Sequence, residues 1–356
     1  MASIKSYTLI AVIALLIGAI YFISSNSVQR IRSNESVAVT PRTAEQGEMN
    51  KEEKSKRYEL AKEITTPDGF INTDSKPITI GEFVGKKVVL VDFWTYSCIN
   101  CQRTTPYLNA WYEKYKDKGL VIIGIHTPEF EFEKDYSNVR TAVEKFGITF
   151  PVVLDNDYST WTAYKNRYWP RKYLIDIDGY IVYDHIGEGA YEETEKKIQE
   201  ALSERNVVFG ENKAISPPLT QEISIQSGAK SPETYFGSAR NNQQKNFLFP
   251  NDNWDITAEF ARNDSANAII VYTYTAKDVF FVAEADTEII VEVLRDDKPL
   301  GLEAGMDIIK TSDGKSVLKI RKARLYKIIQ STQSETHTLE LRIQKPGLKA
   351  FTFTFG

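Results

Sequence analysis

Residues 87–101 read KVVLVDFWTYSCINC, and this stretch decides the fold of the first half of the chain. Its first seven residues are nearly all β-branched or apolar, which is typical of a strand buried on both faces. The chain's only two cysteines, Cys98 and Cys101, follow directly, and helical spacing runs from Arg103 to Lys118. The stretch therefore predicts a buried strand that leads through a short turn into a helix near the cysteines.

A Cys-x-x-Cys pair in this position indicates thiol–disulfide chemistry. A thiolate is the nucleophile in disulfide exchange, and unpaired N–H groups at a helix N-terminus favour an anion. We therefore predict that Cys98 is the exposed attacking thiol and that Cys101, one turn later on the same face, is the resolving thiol. The histidines (His126, His185 and His337) show no metal-ligand spacing, so neither a metal site nor a cofactor is expected.

Outward from this stretch, strands and helices alternate. Apolar, β-branched segments follow at residues 120–125 and 150–154, and an Asp178-Gly179 turn joins a predicted hairpin. Parallel strands joined by helices, then a hairpin and a closing helix, describe an α/β thioredoxin-like domain. We place this domain at residues 67–205.

A linker is predicted at residues 206–230, and the pattern beyond it changes to short strands separated by turns. Seven or eight strands in residues 231–356, without a convincing amphipathic helix, predict an all-β sandwich. The predicted strands include Ala268–Tyr274, Val279–Ala283, Tyr326–Ile329 and His337–Ile343.

The N-terminus carries an uncharged, mostly apolar run from Tyr7 to Ile23, the length of a short membrane span. No small-x-small cleavage site follows it, so we predict an uncleaved transmembrane signal-anchor at residues 1–23, with a cleaved signal peptide as the alternative. Residues 24–66 are predicted to be a polar, flexible linker. The remainder is then expected to be membrane-anchored and extracytoplasmic, on the periplasmic or cell-surface side of the inner membrane.

Composition narrows the function classes. The net charge is −4, and Lys and Arg are scattered along the chain, which argues against nucleic-acid binding. Two cysteines are too few for a disulfide scaffold, so a hydrophobic core must hold the fold.

Residues 92–101 (DFWTYSCINC) resemble the active-site segment of thioredoxin-fold proteins. The resemblance is greatest to the extracytoplasmic C-terminal region of DipZ-type proteins, which are related to the TlpA/ResA group. Further matching segments are 70–73 (FINT), 85–87 (GKK), 126–130 (HTPEF), 168–170 (YWP), 232–235 (PETY) and 353–356 (FTFG). The resemblance covers roughly residues 67–356 and implies a thiol–disulfide oxidoreductase.

The resemblance also implies roles for individual residues. Asp92 matches the family's buried acid, which relays the proton of the resolving thiol; an ordinary acid at a strand end is the alternative. Pro170 matches the proline that is cis in this fold, beside which backbone groups can pair with a bound peptide; a trans loop proline is the alternative. Trp94, Trp169 and Arg171 are candidate substrate-binding residues, although core packing explains Trp94 equally well.

Two features depart from the family pattern, and one further residue, His126, has two interpretations. Ile99 and Asn100 separate the cysteines, in place of the Gly-Pro of reducing thioredoxins or the Pro-His of strong oxidants, so the dipeptide does not indicate the redox direction. Thr104 stands where many TlpA/ResA-like reductases have a glutamate. His126 could interact with the thiolate, but a histidine that simply fills a strand terminus is the favoured interpretation.

For the C-terminal domain, the resemblance implies a jelly roll like that of carbohydrate-binding modules. Its aromatic side chains either stack on a sugar or peptide ligand or fill the core, and the core is favoured for each one singly. These side chains are Tyr235, Phe236, Trp254, Tyr272 and Tyr274.

The expected function is disulfide exchange with exported proteins through Cys98 and Cys101, in the reducing direction. DipZ-type proteins also carry an electron-carrying membrane domain, which is not among these residues, so a separate CcdA/DsbD-like membrane donor is expected. One alternative is a thiol-dependent peroxidase, because Thr95-x-x-Cys98 resembles a peroxiredoxin motif. The missing upstream proline and the adjacent resolving cysteine favour exchange. The other alternative is a non-catalytic surface binding module with a static disulfide.

Overall fold

The computed structural model describes residues 51–74, 76–211, 214–215, 217–219 and 229–356. Residues Glu53–Gly356 form one compact unit. The predicted anchor, residues 24–50 of the first predicted linker and residues 220–228 of the second lie outside the described residues. None of the helices in the described ranges is long and apolar enough to cross a membrane.

The first domain contains a mixed sheet of six strands. They are β1 (Gly69–Ile71), β2 (Val88–Trp94), β3 (Leu120–His126), β4 (Val152–Leu154), β5 (Arg171–Ile175) and β6 (Ile181–Ile186). The sheet order is β1-β4-β3-β2-β5-β6, in which β2, β3 and β4 are parallel and the outer pairings are antiparallel. The predicted thioredoxin-like domain is confirmed.

Helices connect and cover these strands. In the described part of the chain they are α1 (Lys51–Arg57), α2 (Ile99–Tyr115), α3 (Tyr136–Lys145), α4 (Ser159–Ala163) and α5 (Tyr191–Val208). α2 connects the parallel strands β2 and β3, as a crossover helix must. α5 continues to Val208, inside the predicted second linker.

Strands β2 and β3 are buried along their whole length because the sheet is covered on both faces. Leu90 and Trp94 of β2 pack in the same core cluster as Cys101 of α2, whereas Val91 packs in the cluster on the other face. Side chains alternate between the faces of a strand. Asp92, two residues after Leu90, therefore faces the active-site helix.

The second domain is all-β and has no α-helix among residues 229–356. Its strands are β7 (Thr234–Tyr235), β8 (Leu248–Phe249), β9 (Trp254–Ile256), β10 (Ala261–Asn263), β11 (Ala268–Ala285), β12 (Ile289–Arg295), β13 (Lys298–Pro299), β14 (Ile308–Lys310), β15 (Ser316–Ile320), β16 (Arg324–Ile343) and β17 (Leu348–Phe355). The main path of pairing is β14-β15-β12-β16-β11-β17-β10-β9, and β7, β8 and β13 pair with β17, β11 and β12.

The four strands predicted within residues 268–283 and 326–343 are in fact two continuous strands. β11 runs for 18 residues and β16 for 20. The pairing of β11 with β16 shifts register between Ala276 and Asp278 and then continues, so neither strand ends there. The N–H of Asp278 donates to the carbonyl of Gly356 at 2.8 Å, which further ties the bulge into the sheet. Polar residues that resembled a turn in the sequence therefore form a bulge.

Phenylalanine side chains join the two domains within the unit Glu53–Gly356. The ring of Phe351 on β17 lies 5.1 Å from that of Phe130 and 4.8 Å from that of Phe132, both in the segment after β3. Phe280 and Leu325 of the β domain belong to the same buried cluster as Phe130 and Phe351. The β domain is thus packed on the segment that follows a central strand of the thioredoxin-like sheet.

Candidate active site

Cys98 is the N-cap residue of α2. Its backbone is extended (φ −74°, ψ 117°), and its sulfur accepts a hydrogen bond from the Cys101 N–H at 3.2 Å. This cap starts the helix at Ile99 rather than at Arg103, where apolar periodicity alone placed its beginning. Both cysteines are free thiols; Cys98 is half-buried and Cys101 is buried. The two thiols therefore differ in access.

Cys101 is held as a protonated thiol. Burial is the largest cause that raises its pKa well above the ordinary value, followed by the hydrogen bond and the charge of Cys98. The charge of Asp92 also raises this pKa. A buried thiol in this state needs a base before it can act as a nucleophile.

Asp92 lies on β2 facing α2 and is only 2% exposed. Burial raises its pKa to about 7, and the charge of Lys172 opposes this rise. Its Oδ1 atom has no hydrogen-bond partner among the described residues. The burial favours the proton-relay interpretation of Asp92, since a carboxyl with this pKa can exchange a proton near neutral pH.

Sequence reasoning missed Lys172, which is completely buried on β5 directly opposite Asp92. Its Nζ donates to the carbonyl of Gly187 at 3.2 Å and lies 6.0 Å from the ring centroid of Tyr191. Burial lowers the pKa of Lys172, while its charged neighbours, including Asp92 and Cys101, raise it in part. Fully buried lysines are rare, and only the pairing of β2 with β5 reveals this one.

Glu133 is a second buried residue that the sequence did not reveal. Its Oε1 accepts hydrogen bonds from the backbone N–H of Ser97 at 3.2 Å and from the Ser97 hydroxyl at 2.7 Å. Its Oε2 accepts from the N–H of Glu129 at 2.6 Å and from the N–H of Phe130 at 3.1 Å. Burial raises the pKa of Glu133 to about 7. The side chain ties the turn before Cys98 to the segment after β3.

Pro170 immediately precedes β5, and the Trp169–Pro170 peptide bond is cis. The indole Nε1 of Trp169 donates to the carbonyl of Thr127 at 3.0 Å, and Trp169 lines a cleft together with Cys98. The Trp169–Pro170 bond is thus cis, as the resemblance implied for Pro170, and Trp169 lies in the cleft beside Cys98.

The structure places two of the candidate substrate-binding residues away from this cleft. Trp94 is 3% exposed and packs edge-on against His126, so core packing describes it and a surface contact with substrate does not. The Arg171 guanidinium pairs with Asp184 at 2.7 Å and lies 4.6 Å from the ring centroid of Tyr173. Arg171 neighbours Lys172 on a strand, so the two side chains point to opposite faces.

His126 and Thr104 are both buried, and their contacts fit a structural role. His126 is fully buried at the end of β3, its Nε2 lies 3.4 Å from Thr95 Oγ1, and burial lowers its pKa to about 3. It therefore fills the strand terminus as a neutral side chain. The Thr104 hydroxyl is buried and donates to the carbonyl of Asn100 at 2.9 Å, so this position of α2 carries no proton-transfer group.

The β-domain aromatics divide between the core and the cleft. Phe236, Trp254 and Tyr274 are buried in the core cluster, as the favoured interpretation held. Tyr272 is half-buried against that cluster. Tyr235 is also half-buried, but it differs because it lines the cleft beside Cys98.

One group of carboxylates in the described ranges has the spacing of metal ligands, namely Asp176, Asp178 and Glu204. The Lys54 ammonium lies among them, 2.6 Å from Asp176 and 2.8 Å from Asp178, and it also pairs with Glu204. The lysine thus places one cation among these three carboxylates and offsets part of their negative charge.

Comparison with known proteins identifies the parts of the chain. The family described as Redoxin matches residues 59–202, and the one described as Thioredoxin like C-terminal domain matches residues 251–356. Protein DipZ of Mycobacterium tuberculosis is 35% identical over 321 residues, which cover 82% of this chain. The chain spans only 43% of the length of DipZ.

Two shorter relatives align with the first domain. Thiol-disulfide oxidoreductase ResA of Bacillus cereus is 33% identical over 159 residues, which cover 44% of this chain and 85% of ResA. Thiol-disulfide oxidoreductase YkuV of Bacillus subtilis is 28% identical over 142 residues, which cover 40% of this chain and 93% of YkuV. ResA matches over most of its length, and Cys98 and Cys101 lie at the N-terminus of α2, the helix that follows β2 of the thioredoxin-like sheet. The chain therefore belongs to the thioredoxin-like thiol-disulfide oxidoreductase family.

Proposed function

We propose that the chain is a membrane-anchored, extracytoplasmic thiol–disulfide oxidoreductase that reduces disulfides in exported proteins. The observation that carries this proposal is the asymmetry of the two thiols. Cys98 is accessible at the N-cap of α2, whereas Cys101 is buried on the same side of the sheet as Asp92. One sulfur is therefore placed to attack a client and the other to release it.

The exchange proceeds in two steps. The Cys98 thiolate attacks one sulfur of the client disulfide, a mixed disulfide forms, and the other client sulfur leaves as a thiolate that takes up a proton. Asp92 then accepts the proton of Cys101, and the Cys101 sulfur attacks the Cys98 sulfur. The client leaves as a dithiol, and the enzyme retains a Cys98–Cys101 disulfide. Asp92 passes the Cys101 proton to the departing client sulfur, and the first client sulfur takes its proton from solvent, so two electrons and one proton have moved from the enzyme to the client.

The oxidised enzyme then needs two electrons from a dithiol donor. The resemblance to DipZ-type proteins supports a CcdA/DsbD-like membrane protein as that donor. The apolar run from Tyr7 to Ile23 supports an anchor that would hold the domain near such a donor.

The remaining assignments extend this proposal. Pro170 and Trp169 would lie beside the client backbone during exchange, because Trp169 lines the cleft that contains Cys98. The all-β domain would be a jelly-roll sandwich, which the alternating burial along β12 supports.

Trapping of the mixed disulfide tests the proposal. In cells, Cys101→Ser should accumulate disulfide-linked partners that a reductant releases, because the second step is blocked. Cys98→Ser is the matched control and should trap none. If Cys101→Ser traps no partner, the proposal is wrong, and rapid peroxide consumption by that variant would support the peroxidase instead. A reduction potential below about −300 mV would support a static disulfide.

A further inference from the structure

A cleft of about 420 Å³ opens beside Cys98 and has walls from both domains. The thioredoxin-like domain contributes Tyr168 and Trp169, and the β domain contributes Tyr235 and Phe355. Cys98 is therefore reached between two walls rather than on an open surface.

Polar contacts hold the β-domain wall in place. The Tyr235 hydroxyl lies 2.8 Å from a carboxylate oxygen of Glu129 and 2.8 Å from one of Glu233. Arg240 forms an ion pair with Glu129, and its guanidinium lies 4.6 Å from the ring centroid of Tyr235. The N–H of Glu129 in turn donates to Glu133, which supports the turn before Cys98. Tyr235 of the β-domain wall and the turn before Cys98 are thus both hydrogen-bonded to the segment that follows β3.

Apolar packing beneath these contacts fixes the shape of the cleft. Phe130 and Phe132 pack against Phe351 of the β domain, so the walls cannot separate without exposing aromatic surface. A preformed cleft loses little entropy when a flexible segment binds in it.

The lining indicates what the cleft accepts. The lining includes both aromatic side chains and hydrogen-bonding groups, and the carboxylates of Glu129 and Glu233 are matched in number by the guanidinium groups of Arg167 and Arg240. The formal charges balance, so the cleft does not favour a strongly acidic or basic ligand. Aromatic surface together with polar groups suits an uncharged stretch of polypeptide.

We propose that the cleft binds the disulfide-bearing segment of a client in an extended, locally unfolded form, and that the β domain is the second wall of this client site. The inference rests on the proposed function and names the substrate class of the same site. Walls on two sides of Cys98 restrict the approach of a disulfide held inside a folded surface more than that of a flexible segment. The β domain thereby selects clients that are unfolded around their disulfides.

Single-turnover exchange with the reduced full-length chain tests this inference. The probes are a short uncharged peptide with one disulfide, the same disulfide within a folded domain, and cystine. The second-order rate constant for the peptide should exceed that for the folded domain at least about tenfold, since the folded domain must first open locally. Equal rate constants for peptide and folded domain, or a faster reaction with cystine than with the peptide, would overturn the inference. Exchange with none of the probes would instead reject the proposed function itself.

Single-residue variants test whether the β-domain wall causes the preference for the peptide disulfide. Arg240→Ala should lower the ratio of the peptide rate constant to the cystine rate constant about tenfold, as expected for a residue central to a binding site. Arg262→Ala is the matched control, because Arg262 is a β-domain arginine that pairs with Asp255 outside the cleft, and it should leave the ratio unchanged. Tyr235→Phe, which keeps the packed ring, should lower the ratio in the same direction. If Arg240→Ala and Tyr235→Phe both leave the ratio unchanged, the β domain is not a wall of the client site.

Discussion

Asp92 and Lys172 lie directly opposite each other on the antiparallel strands β2 and β5, and both are buried. Directly opposed residues of such a pair point to the same face of the sheet. That face is the one on which Cys101 packs. Burial raises the pKa of Asp92 and lowers that of Lys172, so the neutral form of each side chain becomes more accessible beside the resolving thiol.

Asp92→Asn should slow the second step of exchange. Asparagine has nearly the same shape but cannot accept the Cys101 proton, so the mixed disulfide on Cys98 should persist roughly 100-fold longer at neutral pH. Acid quenching followed by mass spectrometry measures its lifetime. Asp117→Asn, at an exposed carboxylate, is the control. An unchanged lifetime in Asp92→Asn would remove Asp92 from the mechanism.

Asp92 should also make the reduced protein less stable as pH rises. The folded-state pKa is about 7 against an ordinary value of 3.8, so the folded state keeps a proton that the unfolded state releases within this window. Stability should therefore fall between these two pH values. Asp92→Asn should make that slope shallower without abolishing it, because burial also raises the pKa of Glu133 to about 7. Relative to wild type, the variant should gain about 4 kcal/mol when the pH is raised across this window.

Urea unfolding at several pH values measures this slope. Asp117→Asn should keep the slope of the wild type. The same slope in wild type and Asp92→Asn would mean that Asp92 is not the group responsible.

Lys172→Met should move the pH profile of the second step. The Lys172 charge lowers the pKa of Asp92, so its removal should raise that pKa further and shift the half-maximal rate to higher pH. Lys197→Met, at a surface lysine that pairs with Glu200, should not move the profile. A merely structural lysine would change stability without this shift, so an unmoved profile would leave Lys172 no electrostatic role.

Glu133→Ala should destabilise the protein by roughly 3 kcal/mol, because it leaves the buried donors of Ser97, Glu129 and Phe130 without an acceptor. Glu131→Ala is the matched control, since Glu131 is exposed in the same turn, and it should change stability by less than about 0.5 kcal/mol. Denaturant unfolding compares the two variants. Equal stabilities would show that Glu133 does not anchor the turn before Cys98.

The strands β2 and β3 and the Cys98–Cys101 pair could be predicted because each depends on residues close together in sequence. Asp92 was a candidate through its spacing from Cys98, but its burial could not be read from the chain. The sequence could not show that Arg171 lies outside the cleft that contains Cys98, because which of Arg171 and Lys172 faces the active-site helix depends on how β5 pairs with β2. β11 and β16 were each divided in two because a bulge and a turn have similar residue compositions.

By itself, the sequence determined that a buried strand leads into a helix bearing two redox cysteines, because local periodicity and spacing encode such elements. Tertiary structure alone decided that Lys172 meets Asp92, that Glu133 supports the turn before Cys98, and that Tyr235 of a distant domain lines the same cleft. Each of these relationships depends on burial and pairing between segments far apart in sequence. Burial sets the pKa values and the access to sulfur, and it exists only once these segments have packed together.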